Sequence, residues 1–229
     1  MADFVKRPGA PDGVNGEGGR PARAGRRLTR ADQARATRRR IIAAATAQFV
    51  ERGYGSTLLD HVAEQAGVAV QTVYFHFGNK RTLLKEALDV AAVGDDEPVP
   101  LLERPWLTRL RQESDPRRVI DLWLTGGRDI IERVAPLMRV VRGAIGTDPE
   151  LAAQWEVNQE QTRTAHAALA ELLAERGALK PGMNVEQARD IAFVIGNVET
   201  YLQFSEVCGW TLDQWQQRVG AILSAALLR

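Results

Sequence analysis

Cysteine is nearly missing from this 229-residue chain: Cys208 stands alone, so no disulfide can close within it and a thiol-based metal or redox framework is excluded. Histidine is equally scarce, and His61, His76 and His166 have no metal-ligand spacing, so neither a metal nor any other cofactor is expected. Enzyme signatures are absent too. There is no paired-carboxylate set, no Ser-His or Cys-His constellation, no glycine-rich phosphate loop and no HExxH. No stretch approaches 18 uninterrupted apolar residues, and residues 1–13 lack the apolar core of a signal peptide, so the expectation is a cytoplasmic chain with no membrane partner.

What is present is an uneven charge. The formal net charge is +1, yet residues 1–89 hold 15 Lys and Arg against 9 Asp and Glu, whereas the remaining 140 residues hold 15 against 20. Nine arginines between Arg20 and Arg40 face one acid, Asp32. A basic block on a mildly acidic body suggests an anionic polymer as its partner; a solubilising tail is the alternative.

The first 25 residues carry six Gly, three Pro and one aromatic, Phe4, a composition that predicts a disordered basic arm over 1–28. From Thr29 the texture becomes helical. Thr29-x-x-Asp32 reads as a capping box, and Ile41, Ala45 and Phe49 recur every four residues before Gly53, which predicts a first helix of about 20 residues. Arg35, Arg38 and Arg39 sit towards its N-terminal end, where they oppose the helix dipole, so an external anion is the better reason for them. Further start signals follow at Thr57-x-x-Asp60, Asn79, Asp115-Pro116, Asp148-Pro149, Asn184 and Thr211-x-x-Gln214. Breaks are expected at Pro136, in 143–147, in 177–182 and at Gly209. The fold class is therefore all-α, with about nine helices.

The segment Leu59 to Phe77, LDHVAEQAGVAVQTVYFHF, meets the constraints of a helix-turn-helix. Ala63 is small where two helices cross, Gly67 can take the left-handed turn conformation, and Val73 packs the second helix back on the first. With Val73 and Phe77 inward, Gln71 and Phe75 point outward, flanked by Thr72 and Tyr74. Gln bonds adenine bidentately, Thr meets a base edge or the thymine methyl, and an aromatic ring contacts that methyl or the sugar. Tyr74, His76 and Lys80 are candidates for phosphate.

Gly53-Tyr54, Thr57, Val62-Ala63-x-x-Ala66-Gly67-Val68 and Thr72-Val73-Tyr74-x-His76-Phe77-x-x-Lys80 together resemble the DNA-binding domain of the tetracycline-repressor (TetR/AcrR) family of bacterial transcription regulators. The resemblance covers about Arg35 to Leu88, a quarter of the chain. It implies a homodimeric, all-helical regulator with a helix-turn-helix domain at 29–79, followed at 80–229 by a connecting helix and a C-terminal ligand-binding and dimerisation domain. It implies double-stranded DNA with a palindromic operator as partner and a small-molecule effector, hydrophobic if the body's aromatics line its site. Arg35, Thr57, Val70, Gln71, Thr72, Tyr74, Phe75, His76 and Lys80 form the candidate DNA-binding set. The chain departs from the family at Ala69, where a capping Ser or Thr is common, at Leu58, and in having no Arg or Lys between Val70 and Phe77.

In the body, Ile191, Ile195, Val198 and Leu202 form one helical stripe and Trp215, Val219, Ile222 and Ala226 another, with Ala192, Gly196, Gly220 and Ala225 small enough for close helix approach. By the resemblance these stripes form the dimer interface; read by period alone they face their own core. All five Trp residues follow residue 100, and Trp123 and Trp155 are the candidate ligand contacts, with core packing as the alternative. Two other functions remain open: a non-specific architectural DNA-binding protein, and an all-α enzyme with a vestigial helix-turn-helix.

Overall fold

The computed structural model describes residues 29–94 and 105–229. The expected basic arm at 1–28 lies outside the described residues. Among the described residues there are ten helices: α1 (Arg30–Ser56), α2 (Leu59–Ala66), α3 (Val70–Phe77), α4 (Lys80–Val93), α5 (Pro105–Gln112), α6 (Pro116–Ala144), α7 (Pro149–Glu175), α8 (Val185–Gly196), α9 (Val198–Glu206) and α10 (Leu212–Leu227). The only strand-like feature among the described residues is one isolated bridge between Leu179 and Leu228.

Helix starts follow side-chain chemistry. Thr29, Asn184 and Thr211 form reciprocal capping boxes with Asp32, Gln187 and Gln214, while Asn79, Asp115, Asp148 and Asn197 each accept a backbone N–H of the first turn. Thr57 does not cap α2; that position belongs to Leu58, which offers no acceptor. The helical course of α1 is interrupted at Gly53, where the sequence expects the first helix to stop, by a positive φ of 75°.

Two sequence readings need correction. Pro136 does not break α6: it lies within a continuous helix of 29 residues, the loss of one backbone donor being offset by the burial of Ala135, Leu137 and Met138 beside it. The penultimate helix, read as one stripe from Ile191 to Leu202, is two helices, because Asn197 is extended (φ −88°, ψ 169°) and its side chain caps α9 through Thr200 N at 2.9 Å.

Helix α6 is the central element, packing against α1, α4, α5, α7, α9 and α10. Close approach of α5 requires Gly126, where a Cβ would lie 2.7 Å from the Trp106 ring. At the other end of the molecule α1, α2 and α3 enclose a small core of Ile41, Ala45, Phe49, Val62, Ala63, Val73 and Phe77, all buried. Fully burying each of the larger side chains among these contributes about 1.5–3 kcal/mol.

Candidate nucleic-acid interface

The geometry of α2 and α3 follows from three residues. Gly67 adopts the left-handed conformation (φ 64°, ψ 45°), its N–H donates to Glu64 O, and Val68 N closes onto Ala63 O at 3.0 Å, which turns the chain within two residues. A Cβ there would meet only the Arg40 guanidinium at 3.7 Å, so backbone conformation rather than space selects glycine. Val73 and Phe77 then bury one face of α3 against the small core, and Arg38 stacks 5.3 Å over the Phe77 ring while pairing with Glu86 of α4.

The opposite face of α3 is open. Gln71 is exposed, Tyr74 is 52% and Phe75 85% exposed, and Thr72 and His76 are half-buried on the flanks. Phe75 meets the His76 ring edge-on at 5.4 Å. Val70 is instead half-buried against the core and presents little of itself outward. Among the described residues, α2 and α3 are the two helices whose N-caps, Leu58 and Ala69, make no side-chain bond, while seven others are capped. Their first-turn N–H groups therefore lack a side-chain acceptor at the end of the molecule where the sequence is most basic.

Two members of the expected DNA-binding set are placed otherwise. Thr57 is fully buried, its hydroxyl within hydrogen-bond distance of Gly53 O at 2.8 Å and Gln48 O at 3.1 Å, so its side chain holds the α1–α2 loop from inside. Lys80 Nζ donates to Gly55 O at 3.2 Å and Thr57 O at 3.0 Å and lies 4.6 Å over the Tyr54 ring, and burial pushes its pKa down. It ties the start of α4 to the same loop. Arg35 is exposed and pairs at 2.7 Å with Asp32, whose carboxyl is lowered to about 2 by its hydrogen bond to Thr29 first and by Arg35 second.

Residues 41–87 match the family model of bacterial regulatory proteins of the tetR family. The likeness to the tetR family thus covers the second half of α1, α2, α3 and the first half of α4. The chain is 43% identical over 58 residues to the HTH-type transcriptional regulator TtgR of Pseudomonas putida, a match covering 25% of this chain and 28% of that one, so the chain spans little more than a quarter of that relative. It is 30% identical over 145 residues to the HTH-type transcriptional activator FasR of Mycolicibacterium smegmatis, covering 62% of this chain and 61% of FasR. Among solved structures, NalD, the secondary repressor of the MexAB-OprM multidrug efflux pump of Pseudomonas aeruginosa, superposes with a TM-score of 0.65 at 23% identity, covering 86% of this chain and 98% of NalD. A SmeT–triclosan complex does so with a TM-score of 0.65 at 19% identity, covering 85% and 92%. These likenesses establish the fold along most of the chain.

The two candidate ligand contacts separate. Trp155 lines a small crevice with about 20 Å³ of free space between α4, α6 and α7, together with Lys85, Asp89, Val141 and Asn158. Trp123 does not reach it. It is buried in an aromatic row, 5.7 Å from Trp106 and 5.4 Å from His166, which in turn meets Phe193 at 5.8 Å. His166 donates through Nδ1 to Thr162 O at 2.9 Å, and burial lowers its pKa. Sequence reasoning did not find this row, because its four rings come from α5, α6, α7 and α8 at no common spacing.

The expected dimer residues divide as well. Leu202, Trp215 and Val219 are fully buried within the chain's own core and are unavailable to a partner. Gly220 serves the α6–α10 contact, since a Cβ would lie 3.3 Å from Leu124, and Gly196 faces His166 Nε2. Ile191, Ile195, Val198 and Ala226 are half-buried. Ile222 remains outward at 41% exposure and is accompanied by Val194 at 55%, which sequence reasoning missed.

Proposed function

We propose that the protein is a sequence-specific DNA-binding transcriptional regulator that acts as a homodimer on a palindromic operator and is a repressor released by a small-molecule effector bound in its body. The observation that carries this reading is the α3 helix, with Val73 and Phe77 locked into the core while Gln71, Thr72, Tyr74, Phe75 and His76 project on a continuous exposed or half-exposed face. Such a helix enters a major groove, and two copies related by a dimer axis address half-sites about 34 Å apart. The arginines at Arg35 and Arg40, and those of residues 1–28, supply phosphate attraction without reading sequence.

Repression is supported by the likeness to NalD and SmeT, both repressors of multidrug efflux pumps. Activation is the second reading, favoured by FasR, a named activator. An apolar effector is supported by triclosan in the SmeT complex. The cytoplasm is the compartment such a regulator occupies, and among the described residues no helix is long and apolar enough to cross a membrane. An enzymatic role has no residue set to support it, and we place the protein outside enzymes.

The test is selection from random duplex DNA by the purified full chain at about 150 mM salt, where bare phosphate attraction is screened. A two-fold symmetric consensus is expected. Equal affinity for unrelated duplexes would replace this reading by the architectural one.

A further inference from the structure

The exposed face of α3 is short of the group that reads guanine. Residues 70–77 contain no Arg or Lys, and the nearest cation in sequence, Lys80, is held by the Gly55 and Thr57 carbonyls. At its centre stands a side chain that water disfavours: the Phe75 ring is 85% exposed, more than any other large apolar side chain among the described residues. Its ring meets the His76 ring edge-on at 5.4 Å. Gln71 lies one turn before it on the same face, about 6 Å along the helix axis. A base pair occupies roughly 3.4 Å, so the two side chains address positions no more than about two steps apart.

We infer that Phe75 is a specificity-determining residue that reads the 5-methyl group of a thymine in each operator half-site, beside an adenine read by Gln71. The inference rests on the regulator reading given above and names the base chemistry its reading helix selects. In the major groove, adenine offers the N6/N7 pair that an amide matches, and the thymine methyl is the one apolar group on a base edge. An arginine-free, Phe-bearing face therefore selects A·T pairs beneath α3 and has no strong means of selecting G·C.

The test uses the full chain and the operator recovered by duplex selection, with each thymine in turn replaced by deoxyuridine, which removes only the methyl group. Loss of one buried methyl is expected to weaken binding about fourfold per half-site and roughly fifteenfold when both half-sites are changed. Phe75→Ala is expected to bind more weakly than wild type and to lose the thymine/uracil distinction at that position, whereas Phe75→Leu retains part of it. Because Phe75 is exposed, Phe75→Ala should melt like wild type, which separates lost readout from lost folding. Operator binding unchanged by uracil at every position, or a thymine/uracil ratio that persists in Phe75→Ala, would overturn the inference while leaving the regulator reading intact. Failure to recover any operator overturns both.

Discussion

The Tyr54 hydroxyl donates to Asp148 Oδ2 at 3.1 Å, joining the segment after the Gly53 break to the first turn of α7. Asp148 also caps α7 through Leu151 N at 3.0 Å and pairs with Arg81 of α4 at 3.3 Å. One carboxylate thus joins the end of α1, the start of α4 and the start of α7. Its pKa is lowered, first by the bond from Leu151 N and then by Tyr54 and Arg81.

A carboxylate with a depressed folded-state pKa stabilises fully above its unfolded value near 4 and loses that contribution as pH falls through the lower folded value. Asp148→Asn keeps an N-cap but removes the charge, whereas Asp148→Ala removes both. The expected order of melting temperature at pH 7 is wild type, Asn, Ala. The gap between wild type and Asn should close on acidification below pH 4, as followed by thermal melts across pH.

Thr57 offers a test of its corrected role. With its hydroxyl bonded to Gln48 O and Gly53 O inside the core, Thr57→Val should lower unfolding free energy by roughly 1 to 2 kcal/mol in urea titrations. The base preference of the operator should be unchanged, since the side chain does not reach the surface. Altered preference would return Thr57 to the reading face.

How much of this was legible in the sequence depended on whether a position admits one physical solution. Ala63, Gly67 and Val73 at their spacing leave little freedom, because a tight turn between crossed helices needs a left-handed residue and a small contact, and the structure places all three as read. Thr57 was ambiguous, since a hydroxyl near a helix start serves equally as cap, phosphate ligand or buried loop tie. The stripe in α10 divides at its second half: the line buried in the chain's own core runs Trp215, Val219, Leu223, Leu227 in steps of four, and leaves Ile222 outward. A three-residue and a four-residue step are both helical, and only packing against α6 and α8 selects between them. The Trp123–His166 contact was invisible because it is purely tertiary.

His166 carries a pH prediction of the opposite chemical type. Buried among Trp123, Phe193 and the Thr162 carbonyl, it is held neutral, so below about pH 6.5 the unfolded chain takes up a proton that the folded chain refuses. Stability should then fall by about 1.4 kcal/mol per pH unit until the lowered folded value is reached. Denaturant titrations between pH 7 and pH 5 should reveal this slope in wild type and a flatter one in His166→Gln. Equal slopes would mean that His166 protonates freely within the fold.

The outward pair Val194 and Ile222 separates self-association from folding. Both side chains are exposed in the single chain, so Val194→Asp with Ile222→Asp costs little in the fold of one copy, but two charges at a helix–helix contact between copies are strongly unfavourable. Analytical ultracentrifugation should report a dimer for wild type and a monomer for the double variant, and the latter should bind a palindromic operator at least tenfold more weakly because the second head is no longer tethered. Trp215→Ala is the contrasting change. Its indole is fully buried, and truncation should cost about 3–5 kcal/mol of stability, lowering the melting temperature rather than splitting a folded dimer. A double variant that stays dimeric would move the interface away from α8 and α10.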